Sequence, residues 1–277
     1  MHSSPLLSTP VSWLRSARDV VRNTYVRGFA EATVPVIVYQ MGKVGSGSIS
    51  YSLLGHGIRP IHHAHQLNPD HIRRLNEQRA DRGLDGYEKD QVNIQLHEDI
   101  IAPRKRSRYI TLVRDPVSRN LSAFFENLDR WLSISPYDEI PETDALLEYF
   151  LEVYDHDVPL TWFDREPKRT LGIDVFASEF STDRDYAQYD NGPFSLLLMK
   201  CELPDATKED AVHDFIGLSD FSIRRRNVGS QKWYADAYKA AKTSTLPVSY
   251  VDRLCDTDFT RHFYTTEEIE QIYDRWT

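Results

Sequence analysis

Cysteine is scarce in this sequence of 277 residues, which contains Cys201 and Cys255 and no others. Two cysteines cannot supply a disulfide framework or a four-cysteine zinc site, and their scarcity favours a reducing cytoplasm. Long apolar runs are also missing, since none approaches the roughly 18 apolar residues of a membrane-spanning helix. Residues 1–33 lack an apolar block followed by a small-residue cleavage site, which predicts a protein that is not exported.

Positive charge is in deficit as well. The chain has 33 Lys+Arg against 42 Asp+Glu, a net charge of −9 at pH 7. Outside a local basic patch, a phosphate backbone would be repelled, so we expect no nucleic-acid partner. Hydrophobic residues make up 40% and charged residues 27% of the chain, as in ordinary globular proteins. We therefore expect a folded protein.

Short apolar runs alternate with segments that are compatible with helices. This pattern predicts strands at residues 35–40, 58–62, 91–96, 109–113 and 194–199. Helices are predicted after most of them, among others from Pro69 and from Pro116 to about Trp131. Strands that alternate with helices are typical of an α/β fold with three layers, in which helices flank a mostly parallel central sheet.

No repeat or low-complexity linker divides the chain, so residues 1–277 are expected to form a single domain. Residues 1–33 are predicted to provide a helical lead-in, and residues 136–192 an inserted helical region on the acceptor side. Further helices are predicted near residues 206–215, 231–242 and 266–276. Oligomeric state is left open by these patterns.

A glycine-rich turn follows the first predicted strand, with the sequence Gly42-Lys43-Val44-Gly45-Ser46-Gly47-Ser48. Its glycines, serine hydroxyls, lysine and following helix are the ingredients of an anion-binding loop. It is not a Walker A motif, because Val44 stands where that motif has a Ser or Thr for magnesium. The alternative is a purely structural turn.

A second segment points to the same chemistry. Arg114 ends the fourth predicted strand, and Ser122 lies about two turns into the helix that follows. Ligands bind at the carboxyl ends of parallel strands, so both side chains could reach one phosphate at that edge. The alternative is that Arg114 and Asp115 form a structural ion pair and that Ser122 has no special role.

The two segments together resemble the nucleotide-binding elements of sulfotransferases that use 3′-phosphoadenosine 5′-phosphosulfate. The likeness is carried by Lys43-x-Gly45-Ser46-x-Ser48 and by Arg114-Asp115-Pro116 with Ser122; it departs at Gly47, where a hydroxyl residue is usual. The chain is most similar to bacterial sulfotransferase-like proteins associated with capsular polysaccharide synthesis, and more distantly to sugar 2-O-sulfotransferases. Asn227 to Tyr234 resembles the family's late nucleotide-side loop.

The resemblance implies a P-loop NTPase-like fold and sulfuryl transfer from 3′-phosphoadenosine 5′-phosphosulfate to a hydroxyl of a sugar, glycolipid or small metabolite. Adenosine 3′,5′-bisphosphate would be the product, and no metal is implied. The expected nucleotide-binding residues are Lys43, Gly45, Ser46, Gly47, Ser48, Arg114, Ser122, Asn227 and Lys232.

Catalysis would require a cation at the departing phosphate oxygen and a base for the acceptor hydroxyl. Lys43 is the expected cation and His97 the expected base, with Glu98 and His65 as alternatives. The histidines at positions 62, 63 and 65 also suggest a metal, but local spacing supplies no third ligand. Two rival functions stay open: an ATP-dependent P-loop kinase, and a non-catalytic nucleotide-binding scaffold in polysaccharide assembly.

Overall fold

The fold is seen in a computed structural model, which describes residues 34–81, 83, 86, 88–135, 138–225 and 232–277. The predicted lead-in at residues 1–33 lies outside the described residues, and so does Asn227. Five strands form one sheet: β1 Val36–Tyr39, β2 Ile61–Ala64, β3 Ser107–Val113, β4 Tyr186–Asn191 and β5 Phe194–Lys200.

The strand order across the sheet is β2-β1-β3-β5-β4. β1 pairs in parallel with β2 and β3, and β3 pairs in parallel with β5, whereas β4 runs antiparallel to β5. The predicted α/β architecture, a mostly parallel sheet flanked by helices, is confirmed. As a result, β2, β1, β3 and β5 end at one edge of the sheet, which we call the carboxyl edge.

Apolar side chains explain why these strands lie in the interior. All four residues of β1 are buried, as are most of those in β3 and β5. Strands covered on both faces carry continuous apolar runs rather than an alternating pattern. The sheet is therefore a rigid platform that fixes the positions of the loops at its carboxyl edge.

Helices connect and cover the strands. In chain order they are α1 Ser46–Gly55, α2 Pro69–Ala80, α3 Glu88–Leu96, α4 Pro116–Glu126, α5 Leu128–Leu132, α6 Thr143–Val153, α7 Val158–Arg165, α8 Pro167–Leu171, α9 Asp205–Ile216, α10 Ala235–Ala241, α11 Val248–Cys255, α12 Asp258–Phe263 and α13 Thr266–Trp276. A π-helical turn, His97–Ile101, continues α3, and a short 3₁₀ turn spans Val175–Ala177. No helix within the described residues combines the length and the apolar character needed to cross a bilayer.

The strand predicted at residues 91–96 is wrong, because this segment is the helix α3. The apolar positions 92, 94 and 96 alternate as in a strand, yet the buried residues are Asp90, Asn93, Leu96 and Ile100, at helical spacing. Val92 is exposed instead. Six alternating residues were too few to distinguish the two periods.

Two other elements differ from the prediction. The helix expected from Pro116 to about Trp131 is divided at Asn127 into α4 and α5. Residues 136–192, expected to be helical, do contain α6, α7 and α8, but they end with the antiparallel strand β4. β4 lies at an edge of the sheet and is only partly buried, so it lacks the apolar run that marks the central strands.

Candidate functional site

The glycine-rich turn lies at the carboxyl edge between β1 and α1. Gly42, Lys43 and Gly45 all have left-handed backbone conformations, with φ values of 90°, 64° and 78°. Gly45 is the N-cap of α1, and no side chain caps that helix end. The first N–H groups of a helix lack intrahelical acceptors and attract anions. The turn therefore has the backbone chemistry expected of an anion-binding loop.

Two arginines hold the carbonyl groups of this turn. Arg114 Nη1 donates to the Lys43 carbonyl oxygen at 3.0 Å. Arg119, which is buried, donates to the carbonyl oxygens of Gly42 at 3.2 Å and Met41 at 2.5 Å. Three successive carbonyls are thus held by guanidinium groups from one segment. This bracing fixes the backbone of the loop.

The same segment starts with a well-formed helix end. Asp115 caps α4 by accepting from the Ser118 N–H at 2.9 Å, and Pro116 occupies the first turn. Asp115 thus caps α4 while Arg114 binds the Lys43 carbonyl, and the nearby Asp115 carboxylate is also among the groups that raise the pKa of Arg114 against the effect of burial. Ser122 is buried on α4 two turns further on.

Glu126, at the end of α4, joins the lysine of the loop to a distant part of the chain. Its Oε2 lies 3.1 Å from Lys43 Nζ, and its Oε1 lies 3.2 Å from Lys232 Nζ. Tyr234 also donates its hydroxyl to Oε2. Burial alone would raise the pKa of Glu126, but the Tyr234 hydrogen bond and the two lysines outweigh it and lower the pKa. Glu126 is therefore an ionised carboxylate.

Histidines line the other side of the loop. His63 Nε2, on β2, lies 3.2 Å from both Ser46 Oγ and Gln40 Nε2. His65 Nδ1 lies 2.9 Å from Gln40 Nε2. Gln40 in turn accepts from the Gly42 N–H. Burial, aided by nearby cations, lowers the pKa of His65 to about 4, so its ring is neutral near pH 7.

His97 lies at this edge even though its expected strand does not exist. It is the first residue of the π-helical turn, and its Nδ1 lies 3.0 Å from the carbonyl oxygen of Leu67, which follows β2. Only a protonated Nδ1 can donate to a carbonyl, which leaves Nε2 of the neutral ring as a proton acceptor. The neighbouring Glu98 is exposed.

Residues after β5 close the site on a third side. A Cβ atom at Gly45 would lie 3.3 Å from Cys201 Sγ, so the thiol packs closely against the turn. Glu202 accepts from the Asp115 N–H at 3.1 Å, and burial raises the pKa of its carboxyl group. Ends of β1, β3 and β5 therefore meet around the loop.

The structure brings together most of the sequence-predicted residues. Arg114 binds the Lys43 carbonyl, and Glu126 pairs with the side chains of both Lys43 and Lys232. Ser122 precedes Glu126 by four residues and therefore lies on the same face of α4. Among the described residues, no group of three or more His, Cys, Asp or Glu side chains is arranged to hold a metal ion.

Gln40, Arg119 and Glu126 were not predicted as site residues. Arg119 follows the Arg114-Asp115-Pro116 run closely, and the four-residue spacing from Ser122 to Glu126 was a usable signal. Gln40 had no comparable signal, because its role depends on histidines of a neighbouring strand.

Comparison with known protein families relates part of the chain to one of them. A family model labelled NKWYS and described as "Putative capsular polysaccharide synthesis protein" matches residues 142–265. The matched span contains Lys232 and Tyr234, but it does not reach the glycine-rich turn or α4. This supports a relation to the capsular-polysaccharide family and agrees with that part of the resemblance. No curated protein and no solved structure matches the chain.

Proposed function

We propose that this protein is a sulfotransferase that moves a sulfuryl group from 3′-phosphoadenosine 5′-phosphosulfate to a hydroxyl group of a sugar, glycolipid or small metabolite. The family match supports a polysaccharide-related role and therefore a carbohydrate as the acceptor. The proposed location is the cytoplasm, where the two cysteines of the chain would remain reduced.

The contact between Arg114 and the Lys43 carbonyl is the observation that carries the proposal. One nucleotide can bridge the glycine-rich turn and the arginine-serine pair only if they face a common pocket. A 3.0 Å hydrogen bond joins the two segments directly. Had they lain on opposite sides of the sheet, no single adenosine nucleotide could have contacted both.

The residues at the site fit a nucleotide with anionic groups at two positions. The glycine-rich turn offers N–H and hydroxyl donors for the phosphosulfate, from the uncapped start of α1 and from residues Gly45, Ser46, Gly47 and Ser48. Arg114 and Ser122 would hold the 3′-phosphate, the first as a charged fork and the second as a neutral donor. Lys232 supplies further positive charge.

In the proposed reaction, the phosphosulfate supplies the sulfuryl group and leaves as adenosine 3′,5′-bisphosphate. His97 Nε2 accepts the proton of the acceptor hydroxyl as its oxygen forms a bond to sulfur. Lys43 stabilises the negative charge that develops on the phosphate oxygen as the sulfur–oxygen bond breaks. The proton, the sulfuryl group and the leaving group are thereby all accounted for.

Calorimetry with two ligands tests the proposal. We expect adenosine 3′,5′-bisphosphate to bind more tightly than ATP with magnesium, because Val44 offers no hydroxyl for the metal and Arg114 and Ser122 are the proposed partners of a 3′-phosphate. A preference for ATP with magnesium would favour a kinase and remove the sulfotransferase proposal. Binding of the bisphosphate without turnover on any acceptor would favour a scaffold.

A further inference from the structure

The carboxylate of Glu126 is surrounded by groups that suit a larger anion. Lys43 and Lys232 each place an ammonium group against it, at 3.1 and 3.2 Å, and Tyr234 adds a hydroxyl donor. Both carboxylate oxygens are engaged. Two cations and one hydroxyl are more than one carboxylate needs, since a single lysine already neutralises its charge.

These contacts are too exposed to be explained well by fold stability. The side chains of Lys43, Glu126 and Lys232 are 30%, 35% and 28% exposed. Ion pairs this accessible to water typically contribute about 1 kcal/mol or less. The interactions therefore exchange readily with those of a competing anion.

The position of these groups indicates which anion would compete with the Glu126 carboxylate. Lys43 belongs to the glycine-rich turn, where the uncapped start of α1 also favours negative charge. A sulfate or phosphate group carries the charge and the acceptor oxygens that the carboxylate now provides. It could accept from the lysines and the tyrosine while also reaching the N–H groups at the start of α1.

We propose that Lys43, Lys232 and Tyr234 form an oxyanion subsite, and that Glu126 is its internal occupant, displaced when the sulfated end of the nucleotide binds. The identity of the nucleotide rests on the proposed function, whereas the oxyanion subsite does not. It follows that Lys232 acts at the same end of the ligand as Lys43. Glu126 competes with donor and product alike and so weakens the binding of both.

Calorimetry at constant ionic strength tests this inference, because salt alone changes such affinities. The probes are adenosine 3′,5′-bisphosphate and inorganic sulfate; the proteins are the wild type, Glu126→Gln and Glu77→Gln. Glu77 is exposed on α2, so its substitution removes the same charge elsewhere. Loss of a competing carboxylate that pairs with two lysines should tighten binding of both probes about tenfold in Glu126→Gln. Glu77→Gln should bind like the wild type.

Unchanged or weaker binding of both probes by Glu126→Gln would overturn the inference, and so would failure of every protein to bind either probe. If Glu126→Gln tightens sulfate binding but no protein binds the bisphosphate, the subsite stands and the proposed nucleotide is wrong. Lys232→Ala gives a test that does not depend on the folding of Glu126→Gln. It should weaken binding of both probes at least threefold; unchanged binding would exclude Lys232 from the subsite.

Discussion

Lys43 combines a left-handed backbone with an ammonium group that contacts Glu126. Lys43→Ala removes the charge that we expect at the departing phosphate oxygen, so turnover should fall by about 100-fold or more. Release of adenosine 3′,5′-bisphosphate from the donor, with a polysaccharide acceptor, measures this loss. Lys239→Ala, at an exposed position of α10, is the matched control and should retain full activity. Turnover near the wild-type rate in Lys43→Ala would exclude the assigned role.

His97 provides a test that separates chemistry from binding. With Nδ1 directed to the Leu67 carbonyl, Nε2 is available as a base. His97→Ala should reduce turnover by about 100-fold, the usual contribution of a positioned base, and leave bisphosphate affinity within about twofold. Equal losses of turnover and affinity would argue against a base at this position. Glu98→Gln and His65→Asn, measured beside it, test the two alternative bases.

Single residues were predictable here where they belong to a local motif. Lys43, Gly45 and Arg114 could be named from the sequence because their roles depend on neighbours along the chain. The positions of Arg119 and Glu126 on the helix after Arg114 gave a signal, but their roles were not predictable, since Arg119 binds backbone carbonyls of another segment and Glu126 pairs with lysines from two segments.

At the level of elements, the loop between β1 and α1 contains a glycine at which an added Cβ would be in tight contact with a neighbouring side chain. Gly45 has a φ of 78° and would place a Cβ 3.3 Å from Cys201 Sγ, whereas Gly57 has a φ of 80° and no atom within 4 Å. Either Gly→Ala change should lower the free energy of unfolding by about 1–2 kcal/mol, because alanine is strained in a left-handed backbone conformation. Gly45→Ala should cost more, and it should also weaken bisphosphate binding.

Urea unfolding and calorimetry of both variants measure this difference. In Gly45→Ala, part of the lost free energy of unfolding should come from the contact between the new methyl group and Cys201 Sγ. Adding Cys201→Ala removes this sulfur atom and should therefore restore that part of the stability. Equal destabilisation by Gly45→Ala and Gly57→Ala would show that the thiol does not restrict the turn.

Secondary structure was predicted best where burial is complete. β1, β3 and β5 have continuous apolar runs, so they were recognised within one or two residues at either end. α3 was mistaken for a strand because its buried stripe includes Asp90 and Asn93, which a search for apolar periodicity does not count. β4 is stabilised mainly by its antiparallel pairing with β5, which no local pattern reveals.

For the whole molecule, buried histidines predict how stability depends on pH. Burial lowers the pKa of His62 and His65 to about 4, and it also lowers the pKa of His156 and His262. Unfolded histidines bind protons near pH 6.5. Between pH 6.5 and about 4 the unfolded chain therefore binds more protons than the folded one, so the free energy of unfolding falls with falling pH.

Each histidine that is protonated in the unfolded chain but neutral in the folded protein should add about 1.4 kcal/mol per pH unit to the slope of the unfolding free energy against pH. Urea unfolding of the wild type and His65→Asn from pH 7 to pH 5 measures it. Carboxyl groups, including Glu202 with its raised pKa, are common to both proteins, so the difference between the two slopes reports on His65. The variant should lose less stability on acidification than the wild type. Identical pH dependence in the two proteins would show that His65 is not held neutral by the fold.

The amino-acid order alone was enough to identify an α/β fold, a glycine-rich turn and an arginine-serine pair, because these depend on apolar runs and on residues close together in the chain. The three-dimensional fold was needed to show that Arg114 and Arg119 hold the loop, that His97 lies on a helix, and that Glu126 lies between Lys43 and Lys232. Those relations arise from strand order and helix packing, which bring distant segments to one edge of the sheet. Local sequence patterns do not encode such distances.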